Sequence, residues 1–158
     1  MSDALTPADV SSAAPRPFES DGVQVRIGTG LRVDVEARGH ILIADEPASV
    51  GGTEAGPTPY DFVVAALGAC TAMTLRLYAN RKGWPLDGVD VHLTHARVHA
   101  ADCEACEKVP TGMDEVTRTV TLHGPLTDAQ RARLLEMADK CPVHQSLERG
   151  LRVVTRAA

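Results

Sequence analysis

The chain of 158 residues has few aromatic side chains, four cysteines and no block of basic residues. Aromatic residues make up 3% of it, so the stacking platforms that bind single-stranded nucleic acids are not expected. The formal net charge is -5, and a mildly acidic chain without clustered Lys and Arg offers no electrostatic footprint for nucleic acid or anionic lipid. We therefore expect neither a nucleic acid nor a membrane as a partner.

Long apolar runs and a targeting signal are also missing. No segment approaches the ~18 uninterrupted apolar residues of a membrane span, and no basic region followed by an apolar run opens the chain. We therefore expect a cytoplasmic protein. Residues 1–17 are rich in Ser, Ala, Pro and Asp without periodicity and are predicted to form a disordered tail, while residues 18–158 are predicted to form a single domain.

Alternating apolar and polar residues predict two groups of strands. The first group is a meander over residues 23–27, 31–37 and 41–44, and the second is a pair of long strands over residues 89–98 and 115–122. A final strand is expected over residues 151–155. Because these strands are grouped with two main helices rather than alternating strictly with them, we predict an α+β fold.

The sequence also predicts where the helices begin. Thr58 can cap a long helix, Pro59 suits its first position and Asp61 favours its positive end, and the helix should run to about Lys82. Its first half, residues 62–70, is apolar or small on every side, so we expect it to be buried all round. A capping box at residues 127–130 predicts a second helix, and a short third one is expected over residues 143–149.

The four cysteines are too few to cross-link a secreted scaffold of this size, so we expect free thiols, metal ligands or catalysts. Cys70 falls in the middle of the long helix, where an unpaired cysteine most often packs as a small apolar residue. Cys141 precedes Pro142 at a corner between helices, where we expect its thiol to be more exposed. Spacing alone does not indicate whether these two thiols meet.

Cys103 and Cys106 form a C-x-x-C motif in an acidic segment. The strand followed by a helix that surrounds a thioredoxin-type redox pair is missing here. His95 and His99 share a face of the predicted strand, and with the two thiolates they would form a ligand set suited to zinc. A plain solvated loop explains the same residues equally well, so both interpretations stay open.

Two motifs carry a resemblance to a known family. Residues 45–47, 51–52 and 56–61 lie before the long helix, and Ala66–Cys70 lies within it; Cys141 opens a second motif that continues through His144. In this order they resemble the osmotically inducible protein C / organic hydroperoxide resistance (OsmC/Ohr) family, from about Val23 to the C-terminus. The insertion around Cys103 is most similar to the OsmC-like subgroup of unassigned role.

The resemblance implies an intertwined α+β homodimer, with antiparallel strands around a long buried central helix, that reduces organic hydroperoxides; hydrogen peroxide is a second candidate substrate. Cys70 would be the peroxidatic thiol and Cys141 the resolving thiol. An external dithiol, of lipoyl type or another thiol, would reduce the disulfide that they form. The resemblance implies no metal and no other cofactor.

A thiol inside a helix needs a nearby cation to ionise. The resemblance implies an arginine from the N-terminal strands, with Arg32 the best positional match and Arg38 and Arg26 behind it, held by an acidic residue for which Asp61 is the candidate. Many of the peroxidases have Glu where this chain has Tyr60. About 13 Å of helix separates Asp61 from Cys70. We therefore expect the site to be built across a dimer interface.

Tyr60 and the additional C-x-x-C motif also support an alternative hypothesis. In it, the chain is a non-catalytic small-molecule-binding or redox-sensing module with the same fold, with the candidate zinc site in the C-x-x-C loop.

Overall fold

The computed structural model describes residues 22–98 and 113–157. The chain divides after Thr58 into two compact units. The predicted tail over residues 1–17 and the C-x-x-C segment lie outside the described residues, and the single domain over residues 18–158 stays a prediction.

The N-terminal unit is an antiparallel meander of three strands, β1 (Val23–Ile27), β2 (Val33–Ala37) and β3 (His40–Ala44), in the order β1-β2-β3. The predicted meander is confirmed, although β2 begins two residues later than expected. Arg38 and Gly39 both adopt positive φ angles, 52° and 80°, which is the backbone of a tight hairpin turn. A short 3-10 helix, Ala48–Val50, follows in the loop after β3.

That loop is organised by one buried carboxylate. Asp45 accepts hydrogen bonds from the backbone N–H of Glu46 at 2.8 Å, of Thr53 at 3.0 Å and of Ala55 at 3.1 Å, and one from the Thr53 hydroxyl at 2.5 Å. The loop also requires Gly52, because a Cβ there would overlap the Glu46 carbonyl. Residues 45–57 are therefore a fixed segment leading into the long helix.

The C-terminal unit contains α1 (Pro59–Lys82), the hairpin β4 (Gly88–Val98) and β5 (Met113–His123), then α2 (Asp128–Ala138) and α3 (Pro142–Arg149). The two strands pair antiparallel, with Leu93 opposite Arg118. The predicted capping box is confirmed: the Thr127 hydroxyl accepts from Gln130 N, and the Gln130 side chain accepts from Thr127 N. One apolar cluster joins these elements: Leu75, Ala79, Leu86, Leu122, Leu126, Leu134 and Ala138.

The helix α1 contacts β4, α2 and α3, and its buried residues lie along one face: Leu67, Gly68, Thr71, Leu75 and Ala79. Other faces carry Val63, Met73 and Leu77, which are 41%, 65% and 62% exposed. The expected burial on all sides is therefore not met within one chain, because the elements packed on α1 cover one face only. By length and composition α1 would also suffice for a membrane span, a criterion that core helices meet as well.

The predicted final strand is wrong for the described chain. Residues 150–157 have no regular secondary structure, and Leu151, Val153 and Val154 are 69%, 85% and 61% exposed. The alternation is present in the sequence, but a strand needs a neighbouring strand to complete its ladder, and none of the described residues supplies one.

Candidate thiol site

The structure brings together the two thiols that the sequence singles out. Cys70 lies in the middle of α1, and Cys141 is the N-cap residue of α3. Both are free thiols, and Cys141 Sγ lies 3.8 Å from the hydroxyl of Thr71, the residue that follows Cys70 in α1. The two residues are far apart in sequence, and the contacts of α1 with α2 and α3 bring them close together.

Cys141 is held by the start of α3. Its sulfur accepts a hydrogen bond from the backbone N–H of His144 at 3.3 Å, and Pro142 occupies the first helical position. The residue is 0% exposed, whereas Cys70 is half-buried. The expectation that the Cys-Pro corner exposes the thiol was wrong, because the sulfur at this corner packs against Thr71 of α1.

Hydrogen bonds favour the charged form of Cys141. Burial, the largest single influence, raises the pKa of the Cys141 thiol. Hydrogen bonds from the backbone N–H of His144, the Cys70 thiol and the Thr71 hydroxyl outweigh burial, so that this pKa lies below its ordinary value. The buried member of the pair therefore holds a negative charge more readily than an ordinary cysteine does.

A partly buried arginine that the sequence did not single out, Arg118, lies beside Cys141 and Thr71. Arg118 of β5 donates from Nη1 to the Thr71 hydroxyl at 2.9 Å, and Thr71 Oγ1 lies 3.8 Å from Cys141 Sγ. The Arg118 side chain is 12% exposed. A signal was present: Val116, Arg118 and Val120 alternate along one strand face, so the arginine interrupts an otherwise apolar row.

With this geometry established, comparisons with known proteins identify the family. A family model described as OsmC-like protein matches residues 51–156. The chain belongs to the OsmC-like protein family. No curated protein matches the chain.

Solved structures of OsmC-like proteins share the fold. An OsmC-like protein from Mycoplasma pneumoniae is 17% identical, with a TM-score of 0.66 and coverage of 82% of this chain and 88% of that one. The organic hydroperoxide resistance protein from Elizabethkingia anophelis is 16% identical, with a TM-score of 0.61 and coverage of 84% and 90%. The organic hydroperoxide resistance protein OsmC from Legionella pneumophila is 20% identical, with a TM-score of 0.56 and coverage of 84% and 91%. At these identities the likeness establishes the α+β OsmC-like fold.

The OsmC/Ohr resemblance implies four candidate residues for the activation of Cys70: Arg32, Arg38, Arg26 and Asp61. Arg32 Nη2 is 3.1 Å from Asp34 Oδ1 in the N-terminal unit, where its side chain is 53% exposed. Arg26 pairs with a glutamate of β2, and Arg38 lies in the hairpin turn. Asp61 is in the first turn of α1. The roles of these residues at Cys70 stay predictions.

Tyr60 and His95 form a separate contact in this OsmC-like chain. Their rings stack with centroids 4.4 Å apart and planes 9° from parallel, and His95 Nε2 is 3.0 Å from Asp114 Oδ1. His99, Cys103 and Cys106 lie outside the described residues. Among residues 22–98 and 113–157 no group of three His, Cys, Asp or Glu side chains could hold a metal ion, so the zinc site stays a hypothesis.

Proposed function

We propose that the chain is a thiol-dependent peroxidase that reduces organic hydroperoxides, with Cys70 as the peroxidatic thiol and Cys141 as the resolving thiol. The observation that carries the proposal is that Cys141 Sγ lies 3.8 Å from the hydroxyl of Thr71, the residue that follows Cys70 in α1, and the Cys70 thiol is one of the groups that lower the pKa of Cys141. The names of two solved relatives, both organic hydroperoxide resistance proteins, support the class of substrate.

In this proposal, the solvent exposure of each thiol decides its role. Cys141 has no exposed surface, whereas Cys70 is half-buried, so a hydroperoxide arriving from solvent meets Cys70 first. The attacking species is a thiolate, and in this proposal Cys141, whose pKa is lowered, is the acceptor of the Cys70 proton.

The proposed first step breaks the O–O bond of the hydroperoxide. The Cys70 thiolate attacks the terminal peroxide oxygen, which forms the S–O bond of a sulfenic acid. The alkoxide that leaves takes the proton from Cys141 and departs as the alcohol, so Cys141 returns to the thiolate.

The proposed second step forms the disulfide. The Cys141 thiolate attacks the sulfenic sulfur of Cys70, and hydroxide leaves. An external dithiol, of lipoyl type or another thiol, then reduces the disulfide and restores both thiols. These steps draw on thiols alone, and a cytoplasmic location would suit a protein that works through reduced thiols.

Arg32 is our proposal for the cation that activates Cys70, with Arg38 and Arg26 as the alternatives and Asp61 as its acidic partner. The support for these roles is the family resemblance. Arg32 already has a carboxylate neighbour in Asp34, so its role at Cys70 requires it to exchange or share that partner.

We also propose that the protein is a homodimer. Val63, Met73 and Leu77 of α1 are more than two-fifths exposed, and so are Leu151 and Val153 near the C-terminus. Exposed large apolar side chains on α1 and near the C-terminus support a protein interface there. A second copy of the chain would cover α1 and supply the ladder that the C-terminal residues lack.

Stopped-flow kinetics with cumene hydroperoxide and a lipoyl dithiol test the enzyme proposal. Cys70→Ser is expected to reduce turnover to the uncatalysed background, because it removes the attacking sulfur. Cys141→Ser is the matched variant: in the absence of the dithiol it should consume one equivalent of peroxide and then stop as the sulfenic acid. Full turnover by Cys70→Ser would refute the proposal.

The second candidate function is a non-catalytic binding or redox-sensing module. The stacked pair of Tyr60 and His95 favours it, because an aromatic ring occupies the place where many family peroxidases have Glu. Thiol labelling of the native protein at neutral pH separates the two candidates. A Cys70 that resists labelling would favour binding, whereas rapid labelling of Cys70 would favour peroxide chemistry.

A further inference from the structure

Arg118 and Cys141 contact the same hydroxyl group. Arg118 Nη1 donates to Thr71 Oγ1 at 2.9 Å, and this oxygen is 3.8 Å from Cys141 Sγ. The guanidinium is fixed on its other sides by the Ala138 carbonyl at 3.2 Å and the Asp139 carboxylate at 2.7 Å. A cation that is 12% exposed and held by three partners is therefore built into the wall of the thiol site.

The chemistry of a hydroxyl decides what this contact does. A hydroxyl has one proton to donate and two lone pairs to accept with, and Arg118 can only donate, so it occupies one lone pair of Thr71. The Thr71 proton has two acceptors within reach, the Leu67 carbonyl at 2.8 Å and the Cys141 sulfur. Because the helix already gives the Leu67 carbonyl a backbone N–H, that carbonyl stays satisfied when the hydroxyl turns to the sulfur.

We propose that Arg118 is a positioning residue for the resolving step: it orients the Thr71 hydroxyl toward Cys141 and holds that sulfur as the thiolate that attacks Cys70. This inference rests on the proposed peroxidase function. In the step itself the S–S bond forms, the S–O bond of the sulfenic acid breaks, and hydroxide leaves and is protonated by solvent. The oxidant is the hydroperoxide that has already oxidised Cys70.

The charges around Cys141 agree with this role. The two contacts of Thr71 place Arg118 Nη1 at most about 7 Å from the sulfur, so the guanidinium acts on Cys141 through the Thr71 hydroxyl that contacts both groups. Asp139, which follows α2, forms an ion pair with Arg118 Nη2, and its side chain is 61% exposed. Cys70 is the titratable neighbour from α1, and His144 of α3 contributes its backbone N–H.

A titration of Cys141 as the single thiol tests whether Arg118 acts on it through Thr71. Cys70→Ser combined with Cys103→Ser and Cys106→Ser leaves Cys141 as the single thiol, whose ionisation is followed by the ultraviolet absorbance of the thiolate. Arg118→Met in this background should raise the midpoint by about one unit, which lowers the thiolate fraction about tenfold at pH values below the midpoint. Thr71→Val should act in the same direction, and Thr71→Ser, which keeps the hydroxyl, should restore the parent midpoint.

Arg131→Met is the matched control. Arg131 is also partly buried and donates to two backbone carbonyls, those of Leu122 at 2.7 Å and Gly124 at 2.8 Å, instead of to Thr71. Its loss removes comparable structural contacts without touching the thiol site, so the midpoint of Cys141 should stay unchanged. Equal shifts in the Arg118→Met and Arg131→Met proteins would mean a merely structural role and would overturn the inference. If Arg118→Met fails to fold, Thr71→Val set against Thr71→Ser gives the same comparison, because only Thr71→Ser keeps the hydroxyl that joins Arg118 to Cys141.

The lifetime of the Cys70 sulfenic acid tests the role of Arg118 in the resolving step. In the Cys103→Ser, Cys106→Ser protein treated with cumene hydroperoxide, a 1,3-diketone reagent traps the sulfenic acid, and mass spectrometry compares it with the disulfide. Arg118→Met should lengthen the lifetime of the sulfenic acid about tenfold, in proportion to the lost thiolate fraction. The inference is overturned if the parent protein consumes peroxide but Arg118→Met changes neither the midpoint of Cys141 nor the lifetime of the sulfenic acid. The proposed peroxidase function would stand in that case. A parent that forms neither sulfenic acid nor disulfide overturns the proposed function, and the resolving step with it.

Discussion

The two units of the chain are stabilised in different ways. The C-terminal unit has an apolar core in which Leu75 and Leu134 are 0% exposed. In the described part of the N-terminal unit, residues 22–58, only Ala44 and Asp45 are buried. The burial of apolar surface therefore stabilises mainly the C-terminal unit, while the N-terminal unit relies on strand pairing and on the hydrogen bonds of one carboxylate.

The arginines of the two units differ in the same way. In the N-terminal unit Arg26 and Arg32 pair with carboxylates at the surface, and their side chains are 63% and 53% exposed. In the C-terminal unit Arg118 and Arg131 bind groups of other elements from partly buried positions. Surface pairs contribute little to stability, so the N-terminal arginines are available for another role, whereas Arg118 is fixed beside the thiols.

The largest expected effect is loss of the proposed homodimer when a charge is introduced on the apolar face of the N-terminal sheet. Val25 is 59% exposed and lies in register with Val35, which is followed by Leu42 on the next strand. If the second copy of the proposed homodimer also covers this row, Val25→Glu would leave an unpaired charge in the interface at a cost of about 2–5 kcal/mol. Sedimentation velocity should show dimers for the wild type and monomers for Val25→Glu at micromolar concentration.

Gln24→Glu is the control for this prediction. It adds the same charge one position away, and because side chains alternate across a strand it lies on the opposite face of the sheet. The Gln24→Glu protein should sediment like the wild type. Identical sedimentation of all three proteins would show that the row of Val25 is not an interface.

The core of the C-terminal unit should respond strongly to one truncation. Leu75 is 0% exposed, so Leu75→Ala is expected to lower the free energy of unfolding by about 2–5 kcal/mol through lost burial and the cavity left behind. Leu77 of the same helix is 62% exposed. In a monomer Leu77→Ala should change the free energy of unfolding by no more than about 0.5 kcal/mol.

Urea unfolding at two protein concentrations separates the two leucines. If a second copy covers α1, Leu77→Ala becomes more destabilising as the wild-type dimer is populated, and its effect depends on concentration. The effect of Leu75→Ala on the folded protomer should be large at either concentration. A small effect of Leu75→Ala would contradict the core described for this unit.

Local patterns in the sequence predicted most of the fold. The capping box at Thr127 and the alternation of the long strands need only neighbouring residues, and the structure has both. The failures depend on distant partners. The burial of Cys141 and its link to Arg118 through Thr71 are made by packing between elements, and the strand expected over residues 151–155 has no neighbour among the described residues.

The smallest expected effect is local and concerns the carboxylate that organises the N-terminal unit. Asp45 Oδ1 accepts one hydrogen bond, from the N–H of Glu46. Oδ2 accepts three, from the N–H and the hydroxyl of Thr53 and from the N–H of Ala55. An Asn side chain replaces one of these oxygens by a donor, which would face an N–H. Asp45→Asn should therefore loosen residues 45–57, with faster hydrogen exchange at the Thr53 and Ala55 amides. Asp34→Asn, at an exposed carboxylate paired with Arg32, should leave that exchange unchanged.

The stabilisation that the Asp45 carboxylate gives to its loop should depend on pH. The hydrogen bond from the Thr53 hydroxyl, with those from backbone N–H groups, lowers the pKa of Asp45 from 3.8 to about 2. Because the folded state holds the carboxylate more tightly than the unfolded state does, the stabilisation is complete above about pH 4 and is lost as the pH falls toward 2. The difference in free energy of unfolding between the wild type and Asp45→Asn should therefore shrink over that range. A difference that stays constant from neutral pH to pH 2 would show that the charge of Asp45 is not what stabilises the loop.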